Sequence, residues 1–223
     1  MSKKVFLLNY KAYENSYGTK AVEIAKGLDE LSKKYPEVEI IVAVPATVIE
    51  SVSKSVKNIK VYAQHVDPVG NGAYTGHISA FMIKEAGAKG SMLNHSEKRI
   101  RLDELASSIK ALSELGLESV ACVDRHELVA PVAMLSPTYV LVEPPELIGT
   151  GISVSRAKPE VITNSVKEIS KVGGKLLVGA GISNKEDSRR SVELGADGVG
   201  LASAVMKAKD PIEKAEEIIS GLI

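Results

Sequence analysis

Short apolar runs recur along the chain at 5–9 (VFLLN), 38–44 (VEIIVAV), 60–64 (KVYAQ), 90–94 (GSMLN), 119–124 (SVACVD), 139–143 (YVLVE), 175–180 (KLLVGA) and 197–202 (DGVGLA). Several are apolar almost without a break, as strands covered on both faces must be. Helical patterns separate most of them. Over 19–35, Val22, Ala25, Leu28 and Leu31 fall on one stripe with charges elsewhere. The segment 102–116 has the same pattern and ends on Gly116, a natural helix stop. Further helical patterns cover 164–174, 184–195 and 211–223.

Strand then helix, repeated about eight times, predicts a parallel sheet with helical crossovers. At this length the pattern suits one α/β domain over 1–223, a compact closed (β/α)8 barrel. The rival is an open doubly wound sheet, whose glycine-rich loop should follow the first strand. Here the first strand leads into NYKAY (9–13), with no glycine until Gly18. Glycine-bearing strand ends come after the sixth, seventh and eighth runs, which favours the barrel. The longest irregular stretch, 65–79 (HVDPVGNGAYTGHIS), is too long for a simple connection and reads as a functional or interaction element.

Composition narrows the function. Hydrophobic residues make up 44%, and 28 basic side chains balance 28 acidic ones. Zero net charge without a basic block argues against nucleic acid as a partner. Cys122 is the only cysteine, set in an apolar run, so no internal disulfide forms and a reducing compartment is expected. The opening MSKKVFLLNY is too poor in apolar residues for a signal peptide, and no run approaches the ~18 apolar residues of a membrane helix. The expectation is a cytoplasmic protein without a membrane partner.

In a barrel, active groups stand at the C-terminal strand ends, and side chains alternate with period two. Asn9 and Lys11 share the parity of Leu7, His95 that of Leu93, and Glu143 that of Leu141. An amine, an imidazole and a carboxylate would then converge on one mouth. Each has an ordinary reading alone: Glu143 or His95 as a helix cap, Lys11 as a solvated lysine. His65, His77 and His126 lack metal-ligand spacing with each other or with Cys122; they read as surface or loop residues, and no metal is expected. IGTG (148–151), GAGIS (179–183) and LASA (201–204) offer small residues whose N–H groups turn toward an anion, and a short helix opening near Ser203 would aim its positive end there.

These stretches together resemble the triosephosphate isomerase family. NYK (9–11) resembles its substrate motif, NGAYTG (71–76) its dimerisation loop, NHSEKR (94–99) its histidine block, and EPPELIGTG (143–151) its catalytic glutamate with a mobile lid. The match runs along the whole chain in order, and the short length resembles the archaeal branch. The resemblance implies a TIM barrel that interconverts dihydroxyacetone phosphate and D-glyceraldehyde 3-phosphate without a cofactor. It implies Glu143 as base, His95 as electrophile and Lys11 as electrostatic stabiliser. Asn9, Tyr10, Lys11, Glu97, Ile148, Gly149, Gly181, Ala202 and Ser203 would form the substrate site, although the side chain of Tyr10 should point away. Tyr74 and Thr75 would reach a neighbouring subunit, in a homo-oligomer that the archaeal branch makes a tetramer rather than a dimer. Tyr10 and Glu146 stand where the family usually has Trp, Ala202-Ser203 where it has Gly-Gly, and Gly181 where it has Ser. Two other readings stay open: a phosphosugar-binding barrel without catalysis, and another phosphosugar enzyme such as an aldolase, which needs a Schiff-base lysine inside the barrel.

Overall fold

A computed structural model describes residues 3–223. Eight strands, β1 (Lys4–Asn9), β2 (Val38–Val44), β3 (Lys60–Ala63), β4 (Gly90–Leu93), β5 (Glu118–Val123), β6 (Tyr139–Val142), β7 (Leu176–Val178) and β8 (Gly198–Leu201), match the eight apolar runs. Each pairs in parallel with the next, and β8 pairs back onto β1 through Val5↔Gly198 to Leu8↔Leu201. The sheet therefore closes, and the open-sheet alternative falls. The outer ring is α1 (Gly18–Ser32), α2 (Ile49–Ser55), α3 (Ala80–Glu85), α4 (Leu102–Glu114), α5 (Val129–Ala133), α6 (Val154–Ala157), α7 (Pro159–Ser170), α8 (Lys185–Glu193), α9 (Ser203–Met206) and α10 (Pro211–Ile219).

Alternation along the strands makes two cores. Leu7, Ile41, Tyr62, Met92, Cys122, Leu141 and Leu177 fill the barrel. Their neighbours Phe6, Leu8, Ile40, Val42, Leu93 and Val142 pack outward against the helices. Cys122 is buried and free, as its apolar setting predicts, and burial, reinforced by the charge of Glu143, pushes its thiol well above the usual range.

The helices differ from the sequence patterns in instructive ways. The buried face of α1 is Ala21, Ile24, Ala25, Leu28 and Leu31, and Val22 lies at its flank rather than on the stripe. Asp29 is on that face too. Burial opposes its charge, but the N–H groups of Asn58, Lys57 and Ile59 hold its carboxyl below the usual carboxylate range. That carboxylate ties α1 to the entrance of β3. Helix α7 begins at Pro159, five residues before the apolar pattern starts, because proline suits the first helical position. Helices α2, α3, α5 and α6 are too short to show a period in sequence. Gly116 follows α4 with φ of 71°, the left-handed stop expected there.

The closed end of the barrel is sealed by charge. Lys60 Nζ lies 2.7 Å from Glu39 and 2.8 Å from Glu118. Tyr139 donates to Glu39 at 2.7 Å and Tyr62 to Glu118 at 2.5 Å. One ammonium thus joins β2, β3 and β5, and Tyr139 adds β6. Burial opposes the charge on Glu39, yet bonds from Lys60 and Tyr139 hold its carboxyl below the usual range. Lys60→Met is expected to cost about 1–2 kcal/mol, the group being partly exposed, and to lower the thermal midpoint at neutral pH. A carboxyl with a depressed folded-state pKa stabilises above its unfolded value and loses that contribution as pH falls through the folded one. The gap between variant and wild type should therefore narrow below about pH 4. Equal midpoints at pH 7 would contradict this network.

Candidate active site

The open end carries the polar groups. Asn9 ends β1, and its Oδ1 accepts from the Lys11 N–H at 2.9 Å. Lys11 is left-handed, with φ of 49°. Gln64, just past β3, holds this turn: its Nε2 donates to the Lys11 carbonyl at 2.9 Å, to Asn9 Oδ1 at 3.2 Å and to the Ala43 carbonyl at 3.3 Å. The ammonium of Lys11 reaches Glu97 at 2.8 Å. Gln64 escaped the sequence reading, yet it has the parity of the inward-facing Tyr62 and was legible on that ground.

His95 is 7% exposed, and its Nδ1 accepts the backbone N–H of Glu97 at 3.2 Å. A ring nitrogen that accepts has no proton, so the ring hydrogen is on Nε2. That Nε2 stands 3.4 Å from Glu143 Oε2. The segment after His95 is a single turn, and α4 opens only at Leu102, so a backbone amide rather than a helix end sets the tautomer. The parity argument for His95 fails: Leu93 packs outward. His95 reaches the mouth because Asn94, with φ of 58°, breaks the alternation.

Glu143 sits one residue past β6, inward like Leu141. Its Oε2 is buried and has no hydrogen-bond partner among the described residues. Gly179 makes room for it, since a Cβ there would lie 2.6 Å from its Oε1. A buried lone pair without a donor is chemically free to take a proton.

A cavity of about 290 Å³ opens between Lys11, Glu143 and the strand-seven and strand-eight loops. Ile148, Gly149, Gly181, Ala202 and Ser203 line it, with α9 opening at Ser203. A second cavity of about 260 Å³ adjoins it, lined by Asn9, Gln64, His65, His95 and Glu97, with Lys11 in the wall of both. His65 is therefore not a surface residue: it is buried and lies 2.9 Å from Asp67. Among the described residues no His, Cys, Asp and Glu cluster stands ready for a metal ion.

The segment after Glu143 is built stiff, then loose. Pro144 and Pro145 lead into a tight turn over Pro145–Leu147, and Glu146 pairs with Lys158. Gly149 and Gly151 are left-handed, with φ of 77° and 76°, and 149–152 are exposed. The far end is fastened by the Val154 N–H to the Ala180 carbonyl at 3.1 Å. Arg156 reaches the buried Asp187 at 2.8 Å, and Asp187 in turn accepts from the N–H and hydroxyl of Ser183 at 3.0 Å.

Three expected positions lie elsewhere. Tyr10 is fully buried in the outer core; its N–H donates to Ala43 and its carbonyl accepts from Ser16. Strand alternation turns its side chain away from the mouth, as the resemblance implies, and its backbone is already engaged. Tyr74 and Thr75 are exposed on the 65–79 loop, whose neck is closed by paired bonds between Asp67 and Ile78 at 2.7 Å.

A family model described as triosephosphate isomerase matches residues 4–221. The chain is 58% identical to the triosephosphate isomerase of Sulfolobus acidocaldarius, over 100% of this chain and 96% of the relative. It is 52% identical to that of Saccharolobus solfataricus, over 100% and 98%. It is 46% identical to that of Methanothermus fervidus, over the full length of both.

The anchor of the glycine-rich segment is open to test. A Cβ on Gly181 would lie 1.9 Å from the Ile152 carbonyl, at φ of 72°. Gly181→Ala is expected to push 150–153 off the strand-seven loop and to speed proteolytic cleavage there by roughly tenfold or more. Cleavage at the wild-type rate would show that the two loops do not depend on this contact.

Proposed function

The chain belongs to the triosephosphate isomerase family, and we propose that Glu143, His95 and Lys11 carry that family's interconversion of dihydroxyacetone phosphate and D-glyceraldehyde 3-phosphate. The observation that carries this reading is the buried, unpartnered Glu143 Oε2 placed 3.4 Å from a histidine Nε2 that bears the ring proton. Glu143 takes a proton from the carbon beside the carbonyl. Negative charge moves to the carbonyl oxygen, where the His95 Nε2–H and the Lys11 ammonium stabilise it as it forms. The hydroxyl proton of the neighbouring oxygen passes to that oxygen through His95, and the enediol(ate) takes the proton of Glu143 back on the former carbonyl carbon. One carbon is oxidised as its neighbour is reduced, so the change is redox-neutral within the substrate and no cofactor enters. The neutral-histidine and glutamate pairing is the arrangement the family implies; its support here is the Glu97 amide on Nδ1.

The phosphate would lie in the cavity against Gly181, Ala202, Ser203 and the lid residues Ile148 and Gly149. Backbone donors bind it there, so the departures from the family at 181, 202 and 203 leave the site intact. Closure of the lid over the substrate would expel water and protect the enediolate. Pro144 and Pro145 limit the near hinge by fixing φ, and Gly149 and Gly151 free the far one. A Schiff-base aldolase finds less support, because Lys11 is held by Glu97 and Lys60, at the closed end of the barrel, is held by Glu39 and Glu118.

The protein would work as a homo-oligomer, a tetramer before a dimer, with the 65–79 loop reaching a neighbour. The support is a rigid neck at Asp67 and Ile78 below an exposed tip where Tyr74 is 46% accessible. The reaction and the single unpaired thiol fit a cytoplasmic enzyme. No helix of the described residues is long and apolar enough to cross a membrane, and zero net charge gives no footprint for nucleic acid.

A coupled assay on glyceraldehyde 3-phosphate should show turnover by the wild type. Glu143→Gln should lose about 10²–10⁴-fold in kcat, the usual worth of positioned proton transfer; a variant near wild type would remove Glu143 as base. Changing Tyr74 and Thr75 together to Asp should dissociate subunits in sedimentation and depress activity. A fully active monomer would refute the interface.

A further inference from the structure

His95 faces the mouth although the strand before it points the other way. On β4, Met92 packs inside the barrel and Leu93 outside. Continued with period two, Asn94 would face inward and His95 would face the helices. Instead Asn94 takes φ of 58° and His95 stands 3.4 Å from Glu143. A single left-handed residue makes the difference.

That residue is pinned on both sides. Asn94 Nδ2 donates to the Cys122 carbonyl on β5 at 3.0 Å. Its Oδ1 accepts from the Ile100 N–H at 3.1 Å, closing the turn that contains His95 and Glu97. Its own carbonyl accepts from Arg99 at 3.4 Å, and Arg99 is paired with Asp124 at 3.3 Å. Asparagine is among the few side chains that tolerate the left-handed region, and here its amide also bolts the turn to the neighbouring strand.

We propose that Asn94 is a positioning residue, whose left-handed turn aims His95 Nε2 at the reacting atoms. It acts through His95 and touches no substrate, and it rests on the reading of His95 as proton donor. Without the turn, the imidazole would follow Leu93 outward and the mouth would lose its donor.

The test compares Asn94→Ala with Asn94→Gly. Both remove the amide and its two hydrogen bonds, and only glycine accepts the left-handed backbone freely. Asn94→Gly should keep kcat within about threefold of wild type. Asn94→Ala should fall roughly tenfold or more below it with KM nearly unchanged, because a misaimed catalytic group costs turnover rather than phosphate binding. Imidazole 15N spectra of His95 should show hydrogen on Nε2 in wild type and Asn94→Gly, and mixed tautomers in Asn94→Ala. Thermal midpoints establish that each variant is folded at the assay temperature. Equal kcat and equal ring spectra in the two variants would overturn the proposal, as would a loss confined to KM. Should Asn94→Ala fail to fold, Asn94→Gly decides alone, retained kcat supporting the turn and a tenfold fall overturning it. An inactive wild type would defeat the isomerase reading instead, and the ring spectra would then judge the turn by themselves.

Discussion

A line of polar groups crosses the mouth of this barrel, and the rest of the structure serves to hold it. It runs from the Lys11 ammonium to Glu97 at 2.8 Å, from the Glu97 amide to His95 Nδ1 at 3.2 Å, and from His95 Nε2 to Glu143 at 3.4 Å. Its members come from the ends of β1, β4 and β6, which are far apart in sequence. Only closure of the sheet, with β8 paired to β1, brings those ends around one opening. The line sets the tautomer of the imidazole as well. An amide donor on one imidazole nitrogen puts the hydrogen on the other, opposite a carboxylate oxygen that nothing else satisfies.

The two ends of the barrel divide the work. At the closed end Lys60, Glu39, Glu118 and two tyrosines satisfy one another and tie four strands together. At the open end three of the four left-handed non-glycine residues among the described ones gather, Ser136 being the fourth, and a carboxylate oxygen is left without a partner. Lys11, Asn94 and Ala180 are left-handed without being glycine, and each stands just past a strand at the mouth. Such residues persist only where neighbours over-determine them. Gln64 does so for Lys11, and Cys122 with Ile100 does so for Asn94.

Much of this was legible in the chain. The apolar runs marked all eight strands to within a residue or two, because strands covered on both faces leave a continuous signal. The run at 175–180 overshoots furthest, because Gly179 and Ala180 belong to the loop and β7 stops at Val178. Side-chain parity placed Asn9 and Glu143 correctly, since β1 and β6 stay regular up to them. It gave His95 the right location for the wrong reason, because parity cannot see a residue that leaves the β region. His65 looked like a surface residue because its burial depends on Asp67 and on a fold-back of the 65–79 segment. The short helices carried too few turns to declare a period. The family resemblance supplied the roles, and the geometry supplies their physical grounds.

The claim at the centre is that a carboxylate relays a proton between adjacent carbons at this mouth. Running the reaction from dihydroxyacetone phosphate in D₂O and following the product by proton NMR tests it directly. A relay through Glu143, whose acid exchanges with solvent, predicts deuterium at the carbon beside the new aldehyde in a substantial share of the product. Product formed at full rate with that position wholly protiated would mean that hydrogen crosses without passing through the base, and would contradict the account.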